Sequence, residues 1–147
     1  MIRTTFTGTL FGLVLAGSAL AQSGQPGLHF IEVWDLDQNG TVTLEEAEQR
    51  RGDVFLSFDA DGNGVLDAEE YAVFDEARAS DAQQHGTGMG RGGQRAQEGM
   101  TLAYNDTDVN GEVTREEFLA RTADWLALID RNGDGAVTAE DFGPGRN

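Results

Sequence analysis

The sequence predicts an all-α chain in which short helices bracket four twelve-residue loops, arranged as two closely spaced pairs. Three observations carry that prediction. A motif rich in Asp, Asn and Gly recurs four times, its sixth position is glycine in every copy, and apolar residues flank the copies at helical spacing.

The copies run Asp35–Glu46, Asp59–Glu70, Asp106–Glu117 and Asp130–Asp141. Their starts lie 24 residues apart within each half, and the halves are offset by 71, the mark of a duplicated pair. Phe30, Ile31, Val33 and Trp34 precede the first loop; Val54, Phe55 and Phe58 precede the second. Leu102 and Tyr104 precede the third, with Asn105 where a large apolar residue is expected; Trp125, Leu126, Leu128 and Ile129 precede the fourth. Tyr71 and Phe74 follow loop two, Phe118 and Leu119 follow loop three, and Phe142 follows loop four alone, before Gly143 and Pro144 stop the helix.

Outside the loops, residues 1–21 have the pattern of a cleaved export signal. Arg3 supplies the positive start, Leu10 to Leu15 the apolar centre, and Ala19-Leu20-Ala21 a small-residue cleavage site. The apolar stretch is shorter than the ~20 residues a membrane span needs. A free, exported, periplasmic or secreted chain is the expectation, divided into a first loop pair over 22–79, a flexible Gly/Gln-rich linker over 80–99 and a second pair over 100–147. There is no cysteine, so no disulfide frames the fold. Losing Arg3 with the signal takes the formal charge from −16 to −17. Such a field repels nucleic acid and anionic headgroups and attracts cations.

The chemistry of the loops is that of a cation cage. A hard divalent ion takes six to eight oxygens at about 2.3–2.6 Å, and a twelve-residue loop supplies them from positions 1, 3, 5, 7, 9 and 12. Position 6 turns sharply and calls for glycine: Gly40, Gly64, Gly111 and Gly135. The ligand positions are Asp35, Asp37, Asn39, Thr41, Thr43 and Glu46 in loop one, and Asp59, Asp61, Asn63, Val65, Asp67 and Glu70 in loop two. They are Asp106, Asp108, Asn110, Glu112, Thr114 and Glu117 in loop three, and Asp130, Asn132, Asp134, Ala136, Thr138 and Asp141 in loop four. Position 7 (Thr41, Val65, Glu112, Ala136) contributes its carbonyl, and position 8 (Val42, Leu66, Val113, Val137) suits a short antiparallel contact with a paired loop.

On these residues the loops resemble those of the EF-hand family, over most of the chain apart from 80–99. The resemblance implies helix–loop–helix units binding up to four Ca²⁺ ions. Asp141 departs from the glutamate at position 12, so site four is expected to be the weakest for Ca²⁺ and the most tolerant of Mg²⁺. Loop two, with four acidic ligands, is expected to be the tightest.

Only 12 residues separate Glu46 from Asp59, and 12 separate Glu117 from Asp130. One helix over 115–129 would span about 22 Å and hold loops three and four at opposite ends, too far apart to pair at about 4.8 Å. Loop two would then pair with three, and one with four. In the first half, Gly52-Asp53 could instead break the helix and let neighbours pair; shared helices are the favoured reading. The close spacing is also similar to lanmodulin, the periplasmic lanthanide-binding EF-hand family. That family carries proline at position 2, where this chain has Leu36, Ala60, Thr107 and Arg131.

The leading expectation is a calcium buffer, carrier or structural module. The alternatives are a lanthanide binder, or a calcium-dependent module exposing an apolar groove to a protein partner. The mature chain holds only Met89 and Met100 for such a groove. Nothing in the sequence supports an enzyme: His29 and His85 stand alone, and His85 with Met89 reads as solvated linker.

Overall fold

The computed structural model describes residues 25–85 and 90–143; the expected export signal lies outside them. No helix among these residues is long and apolar enough to cross a membrane. The elements in order are α1 (Leu28–Trp34), α2 (Leu44–Phe58), β1 (Val65–Leu66), α3 (Ala68–His85), α4 (Gly90–Glu98), α5 (Leu102–Asn105), β2 (Val113–Thr114), α6 (Arg115–Ala120), α7 (Thr122–Ile129) and a closing 3₁₀ turn (Ala139–Phe142). The all-α helix–loop–helix expectation holds, with strands of two residues only inside the loops.

The decisive feature is the unbroken course of α2. Thr43 caps it, accepting from the Glu46 amide, while the Glu46 carboxylate accepts from the Thr43 amide. The helix continues through Gly52, which is buried; a Cβ there would meet Arg115 Nη2 at 3.5 Å. Loops one and two therefore sit at opposite ends of one rod about 22 Å long. In the second half, α6 and α7 meet at Arg121, whose φ of −82° and ψ of −1° tighten the helical path without turning it back. Trp125 still donates to the Arg121 carbonyl at 2.9 Å.

With neighbours held apart, the loops pair across the halves. β1 and β2 run antiparallel, Val65 opposite Thr114 and Leu66 opposite Val113. Val42 and Val137 form the matching bridge between loops one and four, exchanging hydrogen bonds of 2.8 and 2.9 Å. The shared-helix reading holds, and the helix break at Gly52-Asp53 does not occur. As a consequence, 25–79 and 100–143 interleave around one core.

That core has two aromatic centres. Phe30, Trp34, Trp125 and Phe142 cluster near loops one and four, with ring centroids 4.5–5.8 Å apart. Phe55, Phe58, Tyr71, Phe74 and Phe118 cluster near loops two and three, at 4.8–6.1 Å. Arg51 lies between them, fully buried, its guanidinium 4.0 Å from the Phe118 ring centroid and 5.1 Å from that of Trp125.

The stretch 80–99, expected as a flexible linker, is mostly helical where it is described: α3 runs on to His85, α4 covers Gly90–Glu98, and Gly99 begins the turn that follows. Gly92 and Gly99 serve close packing. A Cβ on Gly92 would stand 2.7 Å from the Phe142 ring, and one on Gly99 would stand 2.0 Å from the Trp125 ring. The Trp125 indole N–H donates to the Ala96 carbonyl at 2.9 Å, fixing α4 against α7.

Candidate metal centre

Each loop is pre-shaped by hydrogen bonds from its own backbone. In loop one the Asp35 carboxylate accepts from the amides of Asn39 (3.2 Å) and Gly40 (2.7 Å), and Asn39 Oδ1 accepts from Thr41 N (2.8 Å). Loop two repeats this with Asp59 accepting from Asn63 and Gly64, both at 3.0 Å, and Asn63 accepting from Val65 N at 2.7 Å. Loop three does so with Asp106, Asn110, Gly111 and Glu112 at 2.8–3.1 Å. The position-6 glycines hold φ between +82° and +90°, as their role requires.

Position 4 makes the same left-handed demand, which the sequence reading missed. Gly62 and Gly133 meet it at no steric cost, while Gln38 (φ 61°) and Val109 (φ 60°) take it as L-residues. The glycines of loops two and four were a readable signal for that turn.

The position-12 side chain straps each loop shut. Glu46 accepts from Leu36 N at 2.9 Å with one oxygen and from Thr43 N at 2.9 Å with the other, tying the loop's start to its end. Glu70 does the same with Ala60 (2.7 Å) and Asp67 (3.2 Å). Glu117 does it with the amides of Thr107 (3.1 Å) and Thr114 (2.9 Å). The Thr107 hydroxyl adds a bond of 2.7 Å to Glu117, and these donors, the Thr107 side chain first, hold its carboxyl at about 2. Partial burial pushes Glu46 up, but donors from Thr43, Asp37 and Leu36 outweigh it and leave the group lowered. Position 9 is the cap of the outgoing helix: Thr43, Thr114 and Thr138 form capping boxes with position 12, and Asp67 accepts from Glu69 and Glu70. The sequence reading took position 9 only as an ion ligand, although the Thr-x-x-Glu spacing in loops one and three was a readable signal for the cap.

The result is three carboxylate triads, Asp35–Asp37–Glu46, Asp59–Asp61–Glu70 and Asp106–Asp108–Glu117, each with one oxygen per residue inside 4.8 Å of the others. Two unit charges at that distance repel by roughly 1–3 kcal/mol at effective dielectrics of 80 to 20. The arginine–carboxylate ion pairs among the described residues are Arg78–Asp75 and Arg121–Asp124, His29 and His85 both contact Asp81, and none of these contacts reaches a loop carboxylate. An all-oxygen donor set with unbalanced negative charge fits a hard cation.

Loop four closes differently. Asp141, one methylene shorter, is drawn inward by the tight 3₁₀ turn, nearly fully buried, and accepts from Arg131 N (3.0 Å) and Thr138 N (2.8 Å). Asp130 accepts from Gly133 and Gly135 at 2.7 and 2.8 Å, and Asn132 donates to Asp134 at 2.8 Å. Ala136 N donates to Asp134 at 3.0 Å. With Asn132 at position 3, this loop forms no triad of that kind among the described residues.

Two further features were not legible. An apolar cavity of about 290 Å³ opens between α1, α2, α3, α4 and α7, lined by Phe30, Trp34, Phe58, Phe74, Met100 and Trp125 among others. His29 and His85, read as isolated, meet at Asp81. The i, i+4 spacing of Asp81 and His85 hinted at a shared helix face, but the linker reading hid it.

The family description "EF hand" matches residues 52–75 and 122–143, which hold loops two and four with adjoining parts of their flanking helices. No curated protein matches the chain at a significant level.

Proposed function

The chain belongs to the EF-hand calcium-binding family, and from that premise we propose an exported calcium-binding protein whose four loops load as two cross-paired units. Its work is binding: a buffer, carrier or structural module rather than a catalyst. The observation that carries this reading is the set of three uncompensated carboxylate triads, each in a loop whose backbone already holds the turn that an enclosed ion needs. Asp35, Asp37, Asn39, Thr43 and Glu46, their counterparts in loops two and three, and the position-7 carbonyls would hold the ions. Ca²⁺ supplies the positive charge that these carboxylates lack. Loop four would bind last, because Asp141 reaches less far and Asn132 brings no charge.

Titration of the metal-stripped chain in a calorimeter, first with Ca²⁺ and then with La³⁺, tests the proposal. Three or four Ca²⁺ equivalents in the micromolar to low millimolar range are expected. Absent Ca²⁺ heats beside tight La³⁺ binding would replace the calcium reading with a lanthanide one.

The apolar cavity favours a second reading, a calcium-dependent interaction module that takes an apolar side chain of a protein partner. A rise in apolar-dye fluorescence on adding Ca²⁺ would support it, and unchanged fluorescence would count against it.

A further inference from the structure

Among the described residues, the one group of potential metal ligands outside the loops joins α1 to α3 across 52 residues. His29 Nε2 lies 3.0 and 3.3 Å from the two carboxylate oxygens of Asp81, and His85 Nδ1 lies 3.2 Å from Asp81 Oδ1. The two imidazole rings stack, with centroids 3.8 Å apart and planes 14° from parallel. One atom from each of the three residues lies within 4.8 Å of the others. His29 and Asp81 also line the apolar cavity.

We propose that His29, Asp81 and His85 form a separate site for a nitrogen-preferring divalent transition ion, with Zn²⁺ as the representative, chemically distinct from the four oxygen loops. The donor set carries the assignment. Two imidazole nitrogens and one carboxylate suit Zn²⁺, Co²⁺, Ni²⁺ or Cu²⁺, whereas Ca²⁺ and Mg²⁺ take oxygen. The spacing agrees with it. Donors bonded to one ion at about 2.0–2.2 Å stand roughly 3.0–3.5 Å apart at octahedral to tetrahedral angles, and the nitrogen–oxygen separations of 3.0 and 3.2 Å fall in that range. Lone pairs on parallel rings do not converge, so capture of the ion requires the stack to open. His85, with 44% of its side chain exposed against 26% for His29, is the ring free to turn. Three protein donors leave the remaining positions to water. An ion held there would link the helix entering loop one to the helix leaving loop two.

The test uses the full, tag-free chain with its loops saturated by Ca²⁺, titrated with Co²⁺ while the visible d–d absorption is followed, then with Zn²⁺ as competitor. The proposal expects one Co²⁺ equivalent giving a band that Zn²⁺ abolishes, and opening of the imidazole stack seen as shifted ring-proton resonances of both histidines. His29→Gln and His85→Gln should each weaken binding by at least the roughly 10- to 100-fold that losing a mere supporting partner costs, with Ca²⁺ stoichiometry unchanged as proof of folding. If His29→Gln disturbs α1, the more exposed His85→Gln decides alone. Absence of the band in Ca²⁺-saturated protein, or a band of equal affinity in His85→Gln, would overturn the site and leave the trio a hydrogen-bonded clasp.

Discussion

Val109 occupies position 4 of loop three with φ 60°, and the residue is 85% exposed. A β-branched residue is crowded in that conformation and makes no packing that would offset the cost. Val109→Asn should therefore stabilise the chain by about 1 kcal/mol, read as a higher urea midpoint at fixed Ca²⁺. Asn105 shows the opposite case. Helical spacing asked for a large apolar residue there, yet Asn105 is fully buried, accepting from Arg51 Nη2 at 2.7 Å and donating to the Tyr71 hydroxyl at 3.2 Å. Burial lowers the Arg51 pKa to about 10, so the group remains charged at neutral pH, and carbonyls take the place of a carboxylate partner: Phe118 O at 2.7 Å is the closest. Asn105→Leu, which satisfies the sequence pattern, should destabilise the chain by about 2–3 kcal/mol because Arg51 and Tyr71 lose partners they cannot replace with water. Equal urea midpoints for the parent and this variant would refute that role. Glu117 sets an acid limit on the metal-free chain. Its folded pKa of about 2 lies below the free value of 4.5, so folding favours the ionised form. Its contribution is complete above about pH 4.5 and is lost as pH falls toward 2. The metal-free Glu117→Gln chain should lose less stability than the parent over that window, as acid titration by circular dichroism would show.

Among the elements, α4 and the turn after it differ most from their sequence reading. Six glycines and four glutamines over 80–99 suggested a flexible connection. What makes glycine necessary at Gly92 and Gly99 is the ring of Phe142 or Trp125, brought close only by tertiary packing. Local composition does not distinguish a glycine that loosens the chain from one that lets a distant ring approach. Gly99→Ala should cost about 1–3 kcal/mol by overpacking against Trp125, measured by urea denaturation. The loops, by contrast, were legible position by position, because ion coordination dictates residue type locally. The capping boxes were equally local. The left-handed position 4 was announced by Gly62 and Gly133 but masked by Gln38 and Val109, which adopt the same turn without glycine.

At the scale of the whole molecule, chain length between loops decides the architecture. Twelve intervening residues make a helix too long for its two loops to meet, so α2 and α6–α7 act as rods whose ends pair across the halves. That spacing was readable, and the crossed pairing followed from it. The joining of both halves into one core was not, because Phe142 packs on Gly27 and Phe30 through contacts more than a hundred residues apart. Crossed pairing implies that loops two and three respond together to an ion, and loops one and four likewise. Each loop carries its own reporter: the amides of Gly40, Gly64, Gly111 and Gly135 all donate to the position-1 carboxylate, at 2.7–3.0 Å. The most direct measurement is a Ca²⁺ titration of the parent chain and Glu117→Gln, following those four amide resonances. The crossed account predicts that Gly111 and Gly64 lose their response at low Ca²⁺ together, while Gly40 and Gly135 keep theirs. Loss at Gly111 and Gly135 with Gly64 unaffected would contradict it, and a parent chain whose four amides ignore Ca²⁺ would contradict the calcium assignment itself.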